Sequence, residues 1–326
     1  MKELLVTKKI LNWYDLNKRK LPWRKNVSSQ KKQYYTLVSE FMLQQTQVVT
    51  VIPYFNRFIK NIPNLQTLAK VQDKKLIKLW EGLGYYSRVK NLKKTAQNIL
   101  KKFKGKLPNN LEDLMTLPGI GNYTASAILA IAFNRPYIPL DGNIERVLKR
   151  YLYLRTNSEI QKENLLKKTS VFGISLRSSD YAQALMELGA LICKPKNPEC
   201  NKCPISKGCK SYKKKDFDLV KMIKKNKEKY FILKVYKKNQ KYLLIKNTKF
   251  NFLKNLTIFP MKELSKPKNF NEHLNFKMSN MNMNIKIKYL KNIKKFPSSY
   301  WFDKRKLDNH MLPTFTKKVV KYLEKN

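Results

Sequence analysis

Four cysteines lie within seventeen residues of this 326-residue chain, and the chain has no others. They are Cys193, Cys200, Cys203 and Cys209, with the spacing C-x6-C-x2-C-x5-C. Thiolates this close together are typical of zinc sites and iron–sulfur clusters, because soft sulfur ligands favour those metals. Two disulfides are the alternative, but we expect no secretory signal in the amphipathic N-terminal segment. The unequal intervals favour a cluster over a zinc ribbon, which usually pairs two C-x2-C knuckles.

The chain is strongly basic. It has 69 Lys and Arg residues against 22 Asp and Glu, a formal net charge of +47. Such an excess favours a polyanionic partner, most often nucleic acid. The lysines are distributed over the whole sequence, so a general compositional bias is the alternative explanation. No apolar run approaches the roughly 20 residues of a membrane span, and we expect a cytoplasmic protein without membrane contact.

The periodicity of apolar residues changes along the chain. Residues 1–215 read as mainly α-helical, and residues 228–326 as a smaller α+β region joined by a lysine-rich linker at 216–227. Helical spacing occupies 34–60, 73–103, 123–133, 142–154, 160–172, 179–193 and 312–324. Strand-like runs occupy 230–236, 242–245 and 284–290, with a hairpin turn expected at 238–240.

A glycine-containing turn precedes the helix predicted to open near Tyr123. It reads Leu-Pro-Gly-Ile-Gly, from Leu117 to Gly121. Gly119 and Gly121 let backbone N–H groups face outward beside a helix N-terminus, where they can bind a phosphate without any side chain. Taken alone, such a turn is more often an ordinary helix start. Asp141 and the cysteine segment further along the chain strengthen the nucleic-acid interpretation.

Glu40 is the only charged residue between Lys32 and Arg57. Burial among its apolar neighbours would raise the pKa of its carboxyl and keep a proton available near neutral pH, as a general acid requires. A surface glutamate on a helix is the ordinary alternative. The uncharged surroundings favour burial here.

Asp141 precedes a predicted helix in the segment Leu140-Asp-Gly-Asn143. A helix N-cap is the ordinary role of such an aspartate. Helix N–H groups would also hold its carboxylate ionised, so that it could stabilise a cationic sugar. Glycoside hydrolysis uses one protonated acid and one anion in this way. Removal of a DNA base is such a hydrolysis, once the base is flipped out of the duplex.

Several motifs together resemble the adenine DNA glycosylase family of the MutY type, within the endonuclease III superfamily. The cysteine spacing is similar to the [4Fe-4S] loop of that superfamily. The matching segments are Val38–Val48 (VSEFMLQQTQV), Trp80–Tyr86 (WEGLGYY), Leu117–Ala127 and Leu140–Asn143. The resemblance covers about residues 1–212.

The resemblance implies a fold and a cofactor. A six-helix barrel module with a helix–hairpin–helix element would occupy about 30–137. A helical domain holding one [4Fe-4S] cluster on the four cysteines would comprise 1–29 and 138–215. Residues 228–326 weakly resemble the family's Nudix-like domain, without the glutamate run of a Nudix hydrolase.

The resemblance also implies residue roles. Glu40 would protonate adenine, Asp141 would stabilise the cation, and Tyr123 and Asn143 would orient them. The adenine pocket would be formed by Leu21, Trp23, Arg24 and Gln183. Gln45 and Tyr85 would enter the duplex as wedges, and Leu43 and Thr46 would contact the opposite base. Gly119 and Gly121 would bind backbone phosphates. Ser279 would belong to the loop that recognises 8-oxoguanine.

Position 123 separates two kinds of reaction in this superfamily. Bifunctional members have a lysine there that attacks the sugar and forms a Schiff base. Tyr123 therefore implies a monofunctional glycosylase that uses water and has little strand-cleaving activity. The chain departs from the family pattern at Met278-Ser279-Asn280, at Glu145, where some members have lysine, and in a longer 25–32 segment.

The expected substrate is duplex DNA with adenine opposite 8-oxoguanine or guanine. The expected protein is a monomer in a bacterial cytoplasm, associated with the nucleoid. Two alternatives remain open from the sequence. One is a thymine or other pyrimidine-mismatch glycosylase of the same superfamily, and the other is a non-catalytic iron–sulfur DNA-binding protein.

Overall fold

The computed structural model describes residues 4–154, 162–218, 227–265, 267, 269–278, 281–292, 296–307 and 312–326. The chain forms two compact units. The first comprises Met1–Leu79 and Ser87–Lys221, and the second comprises Trp80–Tyr86 and Met222–Asn326.

The first unit is helical. Its helices are α1 (Leu5–Asn17), α2 (Ser29–Leu43), α3 (Val48–Asn61), α4 (Leu65–Lys70), α5 (Asp73–Trp80), α6 (Tyr86–Lys102), α7 (Leu111–Met115), α8 (Asn122–Phe133), α9 (Gly142–Leu152), α10 (Lys162–Lys168), α11 (Ser178–Glu187) and α12 (Lys210–Lys214). A π-helical turn, Leu188–Ile192, continues α11 toward the cysteine segment.

Helix α8 is largely buried, because nearly every residue from Thr124 to Ala132 is inaccessible. Its alanines, Ala125, Ala127 and Ala130, leave room for α2 on one side and α11 on the other. A second core joins α1, α9 and α11 around Tyr14, Ile144 and Leu185. The core around α8 and the core that joins α1, α9 and α11 together hold the ends of α2, α8 and α9 close to one another.

The second unit has two four-stranded sheets. Its elements are β1 (Lys227–Val235), β2 (Lys237–Lys238), β3 (Lys241–Lys246), β4 (Thr257–Ile258), β5 (Met261–Leu264), β6 (Leu274–Met278), β7 (Met281–Tyr289), β8 (Ser299–Asp303) and α13 (Thr314–Leu323). One sheet has the order β5-β1-β7-β6, with β1 and β7 parallel. The other has the order β2-β3-β4, with β8 also paired to β3. Phe231, Ile285 and Val319 lie in their shared core.

The predicted mixture of a helical region and a smaller α+β region is confirmed. The expected turn is present, but it joins the short β2 to β3, because the run expected at 230–236 lies mainly in β1, which pairs with β5 and β7 in the other sheet. The helix expected over 34–60 is interrupted, because α2 ends at Leu43 and α3 begins at Val48. The backbone φ of Gln45 between them is 58°, which a right-handed α-helix does not permit. None of the helices in the described ranges is long and apolar enough to cross a membrane.

Candidate active site

Glu40 lies in the last turn of α2 and is only 5% exposed. Burial raises the pKa of its carboxyl from 4.5 to about 7. The hydroxyl of Tyr123, from the first turn of α8, donates a hydrogen bond to its Oε2 atom over 3.1 Å and opposes part of that rise. The predicted buried, protonatable carboxyl is therefore present.

Tyr123 keeps its own proton. Burial and the neighbouring carboxyl groups of Glu40 and Asp141 raise the pKa of its hydroxyl well above 10. It therefore acts as a hydrogen-bond donor to Glu40 at all ordinary pH values and fixes the orientation of that carboxyl.

Asp141 is the N-cap of α9. Its Oδ1 atom accepts hydrogen bonds from the backbone N–H groups of Asn143 (2.9 Å) and Ile144 (2.7 Å). Its Oδ2 atom accepts another from the side-chain amide of Asn143, also at 2.9 Å. Burial nevertheless raises the pKa of Asp141 above 3.8, against the effect of these donors. The sequence predicted the cap and its donors but not the burial that opposes them.

One cavity of about 1290 Å³ is lined by both carboxylates and by eight other residues that the sequence predicted for the site. Those residues are Leu21, Trp23, Arg24, Leu43, Thr46, Tyr123, Asn143 and Gln183. The ring of Trp23 packs edge-on against Phe55, with centroids 5.3 Å apart. The structure thus brings together residues that lie up to about 160 positions apart in the sequence, at a scale suited to a flipped nucleotide.

Glu187, which is not among the residues predicted from the sequence, also lines this cavity. Its side chain is fully buried at the end of α11. Arg19 donates to both of its oxygens, over 2.7 and 3.0 Å, and Arg24 Nη1 lies 2.7 Å from Oε1. The two guanidinium groups offset the cost of burying this charge and fix Arg24 at the wall of the cavity.

The glycine turn has the geometry that the sequence indicated. Gly119 has φ 81°, and a Cβ there would lie 3.0 Å from Asn91 and Phe41. Gly121 is the exposed N-cap of α8, and a Cβ there would have no atom within 4 Å. The backbone at this helix start is therefore accessible from outside.

Two exposed turns hold the predicted duplex wedges. Gln45 lies between α2 and α3 with φ 58°. Tyr85 lies between α5 and α6 with φ 46° and is 43% exposed. In each turn the exposed wedge residue itself has the left-handed backbone conformation. That conformation costs energy in residues other than glycine.

The four cysteines line one apolar cavity of about 30 Å³, together with Tyr151, Tyr212 and Phe217. All four are partly buried free thiols. Burial and the other three thiols raise the pKa of Cys203 to about 12, so thiolates in this place need a cationic centre. Within the described ranges, no group of three or more His, Cys, Asp or Glu side chains is arranged to hold a metal ion. The four thiols nevertheless form a soft donor set around one cavity, of the kind that zinc and iron–sulfur clusters take.

Arginines of α9 connect this cavity with the active site. Arg146 donates to Asn143 Oδ1 (2.8 Å) and to the carbonyl oxygens of Gly189 and Cys193 (both 2.7 Å). Buried Arg150 donates to the carbonyl oxygens of Lys194 and Pro195. Asn143, which binds Asp141, is thereby tied to the cysteine segment.

Known proteins resemble this chain in sequence and fold. The profile of the HhH-GPD superfamily of base excision DNA repair proteins matches residues 38–170. The adenine DNA glycosylase of Buchnera aphidicola subsp. Baizongia pistaciae is 44% identical over 213 residues, 65% of this chain and 60% of that protein. The adenine DNA glycosylase of Buchnera aphidicola subsp. Schizaphis graminum is 40% identical over 258 residues, 77% of this chain and 73% of that protein.

The chain belongs to the adenine DNA glycosylase family. Among solved structures, a thermostable thymine-DNA glycosylase is 26% identical with a TM-score of 0.58, covering 64% of this chain and 95% of that one. The predicted family, its helix–hairpin–helix fold and its class of enzyme are thus confirmed.

This member of the glycosylase family departs from the family pattern in the expected lesion-recognition loop and at Glu145. Ser279 and Asn280 of the expected lesion-recognition loop lie outside the described residues, between β6 and β7. Glu145, where some family members have lysine, forms an ion pair with Lys149 on α9. The ion pair offsets the negative charge that Glu145 introduces in place of that lysine.

Proposed function

We propose that this protein hydrolyses the N-glycosidic bond of adenine paired with 8-oxoguanine or guanine in duplex DNA, as a monofunctional enzyme of base excision repair. The observation that supports this best is the pairing of a protonatable Glu40 with Asp141 in one cavity. A proton donor and an anion on the two sides of a glycosidic bond are what an oxocarbenium-like transition state needs.

In the proposed mechanism, Glu40 gives its proton to a ring nitrogen of the flipped adenine, which makes the base a better leaving group. Tyr123 holds the Glu40 carboxyl in place through its 3.1 Å hydrogen bond. Asp141 stabilises the positive charge that develops on the sugar, and Asn143 orients Asp141. Glu40, once deprotonated, helps to activate the attacking water.

Water is the proposed nucleophile because position 123 is a tyrosine. A phenol has no amine nitrogen, so it cannot form the Schiff base that a lysine forms. The product is then an abasic site on an intact strand.

The four cysteines are the proposed ligands of one [4Fe-4S] cluster. The relatives' fold, the shared cavity and the unpaired thiols support this assignment. When bound, such a cluster would cross-link the segment after α11 and thereby support Arg146 and Asn143.

We also propose how the protein contacts DNA and where in the cell it acts. Gly119 and Gly121 would bind backbone phosphates, and Gln45 and Tyr85 would enter the base stack, with Leu43 and Thr46 near the opposite base. The second unit would recognise 8-oxoguanine through the loop containing Ser279. The net charge of +47 supports binding to DNA. The proposed protein is a monomer that acts in the cytoplasm, at the nucleoid.

The substrate is tested with three duplexes that differ in one pair: adenine opposite 8-oxoguanine, adenine opposite guanine, and thymine opposite guanine. We expect release of free adenine from the first two under single-turnover conditions, faster from the first. Strand breaks should appear only after alkali. Thymine release would instead support a pyrimidine-mismatch glycosylase, and binding without base release would support a non-catalytic DNA-binding protein.

A further inference from the structure

Arg88, in the first turn of α6, is a buried cation that binds the end of α2. It is 7% exposed. Its Nη1 atom donates to the carbonyl oxygens of Phe41 (3.2 Å), Met42 (2.8 Å) and Gln44. Its Nη2 atom donates to Thr46 Oγ1 over 3.1 Å. One side chain therefore binds both the last carbonyls of the helix and the turn that follows it.

These contacts use properties that only arginine has. The last carbonyls of a helix have no intrahelical donors, and a cation there complements the helix dipole. The planar guanidinium presents donors in a fixed fork, so it can bind several acceptors at once. A lysine would keep the charge but not this geometry.

The residue held between these contacts is Gln45. It has φ 58°, and its neighbours Gln44 and Thr46 both accept hydrogen bonds from Arg88. A left-handed conformation is strained in residues other than glycine, and it persists where the surroundings enforce it. Gln44 adds a tether to the glycine turn, through its Nε2 atom and the Gly119 carbonyl at 3.3 Å.

We propose that Arg88 is a positioning residue that holds the turn of Gln44–Thr46 so that Gln45 enters the base stack and helps to extrude the target base. The proposal rests on the proposed function, in which Gln45 is a wedge. It separates extrusion from chemistry, because the Glu40 carboxyl is held by Tyr123 from α8 rather than by Arg88.

The test compares Arg88→Lys with Arg57→Lys. Arg57 is a matched control, since its Nη2 atom also donates to a backbone carbonyl, that of Leu79 at 3.3 Å. Extrusion is read from the fluorescence of 2-aminopurine placed beside the target adenine. We expect Arg88→Lys to lower the fluorescence change and the single-turnover rate by about ten- to a hundredfold. The pH above which the rate falls should be the same in Arg88→Lys as in the wild type. Arg57→Lys should match the wild type in fluorescence change, rate and pH dependence.

Two further variants keep the test decisive. Thr46→Val leaves Arg88 in place and should reduce the fluorescence change in the same direction, even if Arg88→Lys folds poorly. In a double-mutant cycle, Gln45→Ala combined with Arg88→Lys should be no slower than the slower single variant, because both remove the same wedge.

The proposal would be overturned if both Arg88→Lys and Thr46→Val gave the same 2-aminopurine fluorescence change as the wild type. Additive losses in the cycle would also overturn it, as would a smaller fraction of active enzyme with an unchanged rate constant, since those indicate a purely structural role. If the wild-type protein released no adenine, the proposed function would fail. The fluorescence comparison would still decide the role of Arg88, because unstacking requires no bond cleavage.

Discussion

Glu40→Gln is expected to slow adenine release by about two to four orders of magnitude, the usual contribution of a general acid. The amide keeps the size of the carboxyl and can still accept the hydrogen bond from Tyr123, but it has no proton to give. Binding to the duplex should be unchanged. The measurement is single-turnover base release beside a binding titration on the same duplex.

The same variant should be more stable than the wild type above pH 7. The folded-state pKa of Glu40 is about 7, against 4.5 as its ordinary value, so the folded protein keeps a proton that the unfolded chain loses. This stability is complete below pH 4.5 and is lost as the pH rises through 7. Glutamine avoids that loss, which amounts to about 3 kcal/mol. Thermal unfolding at pH 5 and pH 8 measures it.

The matched control is Glu112→Gln, at an exposed position in the first turn of α7. It should change neither the rate nor the pH dependence of unfolding. An active Glu40→Gln variant would contradict the assignment of the acid, and equal stabilisation at pH 5 and pH 8 would contradict the burial of an ionisable group.

Cys203→Ser is expected to abolish cluster binding and to destabilise the first unit by several kcal/mol. Binding of a metal centre by a site absent from the unfolded chain is folding free energy, so its loss is a loss of stability. Arg146 and Arg150, which donate to carbonyls of the cysteine segment, would lose ordered acceptors. Iron content, expected at about four per chain in the wild type, and thermal unfolding measure the effect.

Ser211→Ala is the matched control for the cysteine variant. Ser211 is fully buried close to the cysteine segment, and its hydroxyl has no hydrogen-bond partner among the described residues. It should keep its iron and its stability. Wild-type protein that contained zinc instead of iron, or a Cys203→Ser variant as stable as the control, would contradict the cluster assignment.

One sequence signal found one buried carboxyl and missed another. Glu40 was identified because no other charge lies between Lys32 and Arg57. Glu187 meets the same criterion, as the only charged residue from Tyr181 to Cys193, and it is fully buried in the same cavity. A single charged residue within an apolar segment therefore indicates a buried charge, at position 187 as well as at position 40.

Other features of the site could not be predicted from local sequence. Arg88 binds acceptors more than 40 positions earlier, and nothing beside it indicates them. The need for glycine at position 189 has the same origin, because a Cβ there would lie 2.6 Å from the Cβ of Asn143. The pKa of Asp141 depends on a balance between its helix donors and its burial. Only the packed structure determines that balance.

The pH dependence of single-turnover adenine release by the wild-type protein tests the central claim most directly, because it reports the proton on Glu40 inside the cavity. We predict a rate that falls about tenfold per pH unit above pH 7, as the carboxyl loses its proton. The rate should also fall in acid, where Asp141 becomes protonated. A rate that stayed constant from pH 6 to pH 9 would contradict the assignment of Glu40 as the proton donor.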